Sequence, residues 1–214
     1  MTGLSPDQIF SRIHRRYDRL NRVLSFGRDQ AWRKRGIDHL PHGVILDLGA
    51  GTGVAMSLFR PDQEVVALDP AWPMLSVNPA PRKVVGKGEH LPFADNTFDG
   101  IWSAFVFRNL ESVRGTLDEA ARVLRPGGVM VVVDAGRPLG RTARRIHRTG
   151  TAVVTPLVGL LAGAVREYWY FHRSLDKLPH PEEMFGDRPL QVRKLWRMGL
   201  WGGVYGVSLV KSGD

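Results

Sequence analysis

The order of apolar and polar residues along the chain predicts a helix at its start. Ser5, Pro6 and Gln8 fit a helix beginning, with Ser as the N-cap, Pro at the first helical position and Gln completing a capping box. Apolar residues then recur at every third or fourth position, which is the spacing of one helix face. They are Ile9, Ile13, Tyr17, Leu20 and Leu24. We therefore predict an N-terminal helical extension within residues 1–40.

After Pro41 the pattern changes to short runs rich in β-branched residues, which are typical of strands. These runs are residues 44–48, 64–68, 83–85, 98–105, 129–133, 191–196 and 204–210. Thr116 and Glu119 fit a capping box for a helix that ends before residues 125–128, where Pro and two glycines favour a turn. Alternating strands and helices predict an α/β fold with a doubly wound, mostly parallel sheet. We assign residues 41–214 to this main domain.

The composition of the chain limits the class of protein. A chain of 214 residues with 43% hydrophobic content is long enough for one domain that buries roughly 70% of its unfolded surface. It contains no cysteine, which excludes disulfides and thiolate metal sites, and its seven histidines show no metal-binding spacing. The first ten residues do not read as a signal peptide. The longest apolar run, residues 151–165, is too short for a spanning helix of ~20 residues. We expect a cytoplasmic, soluble protein without a bound metal.

The chain is basic, with 30 Lys and Arg against 21 Asp and Glu, and the basic residues are unevenly placed. One cluster lies in residues 12–35, and a second is formed by five arginines in residues 137–148 with no acid among them. Three interpretations stay open: a solvated surface, contact with anionic lipid headgroups, and contact with nucleic-acid phosphates. Few aromatic residues interleave with the clusters, which disfavours binding of single-stranded RNA by base stacking.

The stretch VILDLGAGTG at residues 44–53 predicts a polar ligand at the tip of the first strand. A dinucleotide turn needs a Gly or Ala at its sixth position, but Val54 or Met56 stands there, and no phosphate-loop Gly-Lys-Ser/Thr follows. The glycines allow a ligand to approach the backbone, and we expect a helix N-terminus behind them. Asp47 suits a ligand that carries an amine.

Two further acids follow the next two strands along the chain. Asp69 ends the second strand, at the position where doubly wound sheets bind ribose hydroxyls, and Glu89 follows the third. Because the carboxyl ends of parallel strands meet at one edge of a sheet, the three acids predict a nucleoside site at the topological switch point.

Four segments together resemble a class I S-adenosylmethionine-dependent methyltransferase: ILDLGAGTG, VVALDPAWPML, GEHLPFADNTFDGI and EAARVLRPGGVMVVVD. The resemblance implies a Rossmann-like, seven-stranded sheet with an antiparallel last strand and S-adenosyl-L-methionine as cofactor. It implies that the glycine turn lines the methionine part, that Asp69 holds the ribose, and that Lys87 and Gly88 flank the adenine. The cofactor-binding residues that we predict are Asp47, Gly49, Gly51, Thr52, Gly53, Asp69, Lys87, Gly88, Glu89 and Ala104.

A narrower resemblance, to the ubiquinone and menaquinone biosynthesis C-methyltransferases, covers nearly the whole chain. It rests on RYDRLNRVLSFG, AFVFRNLESV, VDAGRP and YWYFHRSL. It implies methylation of a ring carbon of a hydrophobic aromatic, quinol-type acceptor. A fixed cation near the neighbouring oxygen would stabilise the phenolate that activates that carbon. Arg108 is our candidate for the cation, Asn109 for orienting it or a water molecule, and Tyr17, with Asn21, for a pocket lid. The alternatives are that Arg108 and Asn109 bind loop carbonyls and that Tyr17 belongs to the core.

The sequence departs from this family at several places. Val54 stands where an acid is common, Lys87 replaces an acid or amide beside the adenine, and Val106 replaces the glycine of F-G-x-R-N. Four prolines lie between Asp69 and Lys83, so the usual long helix cannot form there.

Other functions stay open at this point. One is an RNA methyltransferase, which is disfavoured because SAFVFRN stands where amino-methylating enzymes carry an Asn-Pro-Pro-Tyr-like motif. The others are a methyltransferase for a different small molecule and a non-catalytic subunit that retains the fold. Peripheral membrane contact through the basic clusters and a homodimer also stay open.

Overall fold

The computed structural model describes residue 25 and residues 27–161, 174–176, 178–186 and 190–213. The predicted N-terminal helix, with Tyr17 and Asn21, and the YWYF segment lie outside these residues. The boundary between residues 1–40 and the main domain therefore stays a prediction.

Seven strands form one sheet in the order β3-β2-β1-β4-β5-β7-β6. Strands β1 to β5 are parallel, and β7 lies antiparallel between β5 and β6. Their bounds are β1 Gly43–Leu48, β2 Gln63–Asp69, β3 Arg82–Val85, β4 Phe98–Ala104, β5 Leu124–Ala135, β6 Leu190–Met198 and β7 Val204–Lys211. The seven predicted strands and the doubly wound α/β class are confirmed.

One described helix precedes β1, and the others lie between strands. They are α1 Asp29–Ile37, α2 Trp72–Leu75, α3 Val113–Val123, α4 Arg141–Leu161 and α5 Pro181–Met184. Only four residues form α2, as the four prolines in this interval predict. The pattern of apolar residues did not reveal α1 or α4.

Both faces of the sheet are buried. On one face, Leu46 and Leu48 pack with Leu117 of α3 and with Phe185. On the other face, Ile45 packs with Ile37 of α1 and with Trp102. Successive residues of β1 thus enter opposite cores, because strand side chains alternate between the two faces of a sheet.

Two local predictions were wrong. The expected helix N-terminus behind the glycine turn is a single 3₁₀ turn, Met56–Leu58, because only nine residues, including Pro61, lie between Gly53 and β2. Helix α3 starts earlier than the Thr116 box implied, at Ser112, whose Oγ accepts the N–H of Gly115 at 3.0 Å. Thr116 lies inside the helix and donates its hydroxyl to the Ser112 carbonyl.

Candidate active site

The glycine turn after β1 forms the floor of an open cleft at the carboxyl ends of β1, β2 and β4. The φ angles of Gly49, Gly51 and Gly53 are +75°, +51° and +81°, in the left-handed region that favours glycine. A Cβ on Gly49 would lie 2.3 Å from Cγ2 of Val106. The valine that replaces the family glycine thus packs directly against the turn, and it fits because Gly49 has no side chain.

Asp69 fixes the turn to the end of β2. Its Oδ2 accepts the N–H of Gly51 at 2.9 Å, and its Oδ1 accepts the N–H of Ala71 at 2.8 Å. A carboxylate oxygen has more than one acceptor site, so both oxygens keep capacity for the hydroxyls of a ligand. From below, the buried side chain of Asn78 donates to the Gly51 carbonyl at 3.1 Å.

Asp47 is the most unusual group of the cleft. Its side chain is 3% exposed, and its Oδ2 has no hydrogen-bond partner among the described residues. Burial raises the pKa of Asp47 to about 7; the Asp69 charge also raises it, whereas the Arg33 charge lowers it. A buried, hydrogen-bond-deficient carboxylate costs stability unless a cation binds it. The site is therefore suited to the ammonium of an amino-acid group.

Sequence reasoning missed Arg33, a buried residue of α1 that lines the same cleft. Its guanidinium carbon lies 4.9 Å from the centroid of the Phe105 ring, in cation–π geometry. Arg33 and the ionised form of Asp47 place a positive and a negative charge in the cleft, which complements an amino-acid zwitterion. The available signal was the basic cluster of residues 12–35, to which Arg33 belongs and which we interpreted only as a surface.

The loop after β3 brings Lys87, Gly88 and Glu89 to the cleft. Glu89 Oε1 accepts the N–H groups of Glu111 and Ser112, at 2.9 and 3.2 Å, just before α3. Lys87 donates to Glu111 Oε1 at 2.7 Å, and this contact lowers the pKa of Glu111. Lys87 is therefore held at the exposed rim by an acid.

We predict that Lys87→Met changes the affinity for S-adenosylhomocysteine by no more than about threefold, because exposed ion pairs contribute little. Isothermal titration of Lys87→Met, with Glu111→Gln titrated in parallel, measures this affinity. A tenfold or larger loss in Lys87→Met alone would mean that the ammonium itself contacts the cofactor.

The end of β4 forms the remaining wall of the cleft. Ala104, Phe105, Val106 and Asn109 line it, and Phe105 has a φ of +64°, which is strained for a residue with a side chain. Arg108 does not line the cleft. It is 4% exposed, and its Nη1 donates to Oδ1 of the fully buried Asp134 at 2.6 Å.

The structure brings most of the predicted site residues together. The cleft is lined by Asp47, Gly49, Gly51, Thr52, Asp69, Lys87, Gly88, Glu89, Ala104 and Asn109, whereas Gly53 and Arg108 do not line it. Gly53 packs behind the turn, where a Cβ would lie 2.6 Å from Asn78 and Pro79. Tyr17 lies outside the described residues. The individual roles of all these residues stay predictions.

Comparison with known proteins identifies the family. The sequence model of the ubiE/COQ5 methyltransferase family matches residues 5–188. The demethylmenaquinone methyltransferase of Thermus thermophilus is 37% identical, over 82% of this chain and 87% of its own length. The ubiquinone/menaquinone biosynthesis C-methyltransferase UbiE of Geobacter sulfurreducens is 33% identical, over 82% and 75%.

Solved structures share the fold at low identity. A chain from the complex of the Haloferax volcanii Trm112 methyltransferase activator with a methyltransferase aligns with a TM-score of 0.70 at 18% identity, covering 99% of this chain and 100% of its own. A methyltransferase of Thermotoga maritima aligns at 0.68 and 18%, covering 95% and 99%. The family match and these relatives establish that the chain belongs to the ubiE/COQ5 methyltransferase family and is an S-adenosylmethionine-dependent methyltransferase.

Proposed function

We propose that the protein methylates a ring carbon of a demethylmenaquinol-type acceptor. Relatives that are 33–38% identical carry the name demethylmenaquinone methyltransferase. The observation in the structure that carries the proposal is the division of the cleft lining. Charged groups, Asp47, Arg33 and Asp69, lie beside an apolar wall that includes Phe105 and Val106. Such a cleft suits a charged nucleoside cofactor next to a flat apolar ring.

Within this proposal, Asp47 binds the ammonium of the cofactor's methionine part and Arg33 binds its carboxylate. Asp69 accepts the ribose hydroxyls with the acceptor capacity that its two backbone hydrogen bonds leave. The glycine turn allows close approach of the backbone. Bound S-adenosylmethionine would supply an electrophilic sulfonium methyl group to the acceptor carbon and leave as S-adenosylhomocysteine, and the methylated carbon would then release its ring proton.

The acceptor ring packs against Phe105 and Val106. Asn109, which lines the cleft one residue beyond Arg108, orients the acceptor hydroxyl or the water that takes its proton. Loss of that proton makes the neighbouring ring carbon nucleophilic.

Arg108 then acts as a positioning residue. Its guanidinium carbon lies 5.9 Å from the centroid of the Phe105 ring, which Arg33 also contacts. Its ion pair with Asp134 ties the Phe107–Asn109 turn to the end of β5. We infer that this pair holds Phe105 in its strained conformation and Asn109 at the cleft.

A transfer assay tests the proposed acceptor. Purified protein is incubated with S-adenosylmethionine carrying a labelled methyl group and either chemically reduced demethylmenaquinone with a short isoprenoid tail or total RNA. We expect label in the quinol and none in RNA. Label in RNA alone, or in neither acceptor despite normal cofactor binding, would contradict the proposal.

A further inference from the structure

Helix α4 carries a line of exposed aliphatic side chains. Ile146, Val153 and Leu160 are 50%, 56% and 70% exposed and lie seven residues apart. Seven residues are close to two helical turns, so the three side chains follow one face over about 21 Å. Leu139, just before the helix, and Val154, beside the line, are also exposed. We call Ile146, Val153 and Leu160 the apolar stripe.

The anchoring of α4 explains why this stripe faces outward. The buried Arg137 donates to the Thr151 hydroxyl at 2.9 Å and contacts Nδ1 of His147 at 3.2 Å. The same guanidinium binds both oxygens of Asp176, at 2.9 and 3.1 Å. His147 and Thr151 therefore lie on the inner face of α4. Ile146 lies about 100° round the helix from His147, so the stripe is turned away from the anchor.

The charge next to the stripe has one sign. Residues 136–161 contain no Asp or Glu, and Arg141, Arg144, Arg145 and Arg148 are all exposed. Arg141 and Arg145 lie about 140° and 100° from Ile146 round the helix. Long basic side chains at such positions reach lipid phosphates while neighbouring aliphatic groups enter the interface. Arg148 differs from Arg141 and Arg145 because it has an acidic neighbour: its Nε lies 3.7 Å from Oδ2 of Asp176.

We propose that α4 is a docking helix for the surface of an anionic phospholipid bilayer. The apolar stripe enters the headgroup region, and Arg141 and Arg145 bind the lipid phosphates. Neither feature alone selects this partner: nucleic acid would leave the stripe exposed, and a second copy of the chain would bring the like-charged arginines of two helices together. No helix among the described residues is long and apolar enough to cross a membrane. Contact of α4 along the bilayer surface uses both the apolar stripe and the neighbouring arginines.

This inference rests on the proposed function for its purpose, because an isoprenoid quinol is dissolved in the bilayer. Its test is independent of the acceptor. Flotation of the full chain with phosphatidylcholine vesicles, with or without phosphatidylglycerol, measures binding. We expect at least tenfold stronger binding to the anionic vesicles, reduced by added salt because charge attraction is screened.

Two variants separate the contributions to binding. The triple variant Ile146→Ser, Val153→Ser, Leu160→Ser should lose at least tenfold in binding to anionic vesicles. Arg141→Gln with Arg145→Gln should lose most of the preference for phosphatidylglycerol. The matched control is Val77→Ser, Val85→Ser, Val192→Ser, which removes three exposed aliphatic side chains of β3, β6 and the segment after α2. Unchanged binding of S-adenosylhomocysteine verifies that each variant is folded.

Several results would overturn the inference. The first is that the unaltered chain does not bind vesicles, and the second is that the stripe and control variants lose vesicle binding equally. The third is a dimer in sedimentation experiments that is dissociated only by the stripe substitutions. The fourth is that the chain binds RNA and not vesicles, and that replacing the two arginines abolishes the RNA binding. Methylation of a short-tailed acceptor without vesicles reports separately on the proposed function.

Discussion

Replacing Asp47 with asparagine is expected to weaken binding of S-adenosylhomocysteine by about 100-fold or more, because the amide cannot form a buried, charged hydrogen bond with the ammonium. The free protein should become more stable at the same time. Burial raises the pKa of Asp47 from 3.8 to about 7, a shift that corresponds to on the order of 4 kcal/mol of destabilisation above pH 7. The unmet hydrogen bonds of the asparagine reduce the gain.

The sign of the pH dependence follows from this raised pKa. Between about 3.8 and about 7 the folded, ligand-free protein holds a proton that the unfolded chain has released, so this group's contribution to stability falls as the pH rises through that interval. Cofactor binding needs the carboxylate and should weaken as the pH falls below about 7. Asp47→Asn should remove both dependences.

Isothermal titration and thermal unfolding at a pH below and a pH above 7 measure the two effects. The control is Asp118→Asn, which changes an exposed acid of α3 and should alter neither. If Asp47→Asn retained full affinity, the ammonium would not be bound at Asp47. If it lowered the stability of the free protein at alkaline pH, the raised pKa would be contradicted.

Replacing Arg108 with methionine is expected to destabilise the protein by about 3–5 kcal/mol, because it leaves Asp134 buried without its ion-pair partner. Thermal or denaturant unfolding measures the loss. Methyl transfer should fall with it, since the segment from Phe105 to Asn109 loses its support. The double variant Arg108→Met, Asp134→Leu should recover much of the stability.

The Arg108→Met variant separates two roles for Arg108, as a positioning residue and as a group that contacts the acceptor. A positioning residue loses stability, and Arg108→Lys, which keeps the charge, restores part of it. If Arg108→Met were as stable as the unaltered protein and bound cofactor normally while its kcat fell at least a thousandfold, Arg108 would be the group that contacts the acceptor.

The predictable part of the molecule is the part that local sequence determines. The β-branched runs predicted the seven strands, and the alternating glycines predicted the turn, because each of the three adopts a conformation that favours glycine. Asp69 and Glu89 reached the cleft because parallel strands end at one sheet edge. These features depend on neighbours in sequence or on a general rule of sheet topology.

The parts that were missed depend on tertiary contacts. Helix α1 buries two polar residues, Asp29 and Arg33, so its apolar periodicity is weak. The motif FRN contains Arg108, but only the fold shows that this arginine pairs with Asp134, 26 residues away, and does not line the cleft. Likewise, only the fold shows that Lys87 pairs with Glu111, 24 residues away.

The site of the transferred methyl group tests the central claim most directly. The assay uses S-adenosylmethionine with a deuterated methyl group, short-tailed demethylmenaquinol and the purified protein, followed by air oxidation and mass spectrometry with NMR of the product. We predict a quinone that carries the deuterated methyl on the ring carbon that was unsubstituted. A product that cannot be reoxidised, because the label is an ether on a ring oxygen, would contradict C-methylation.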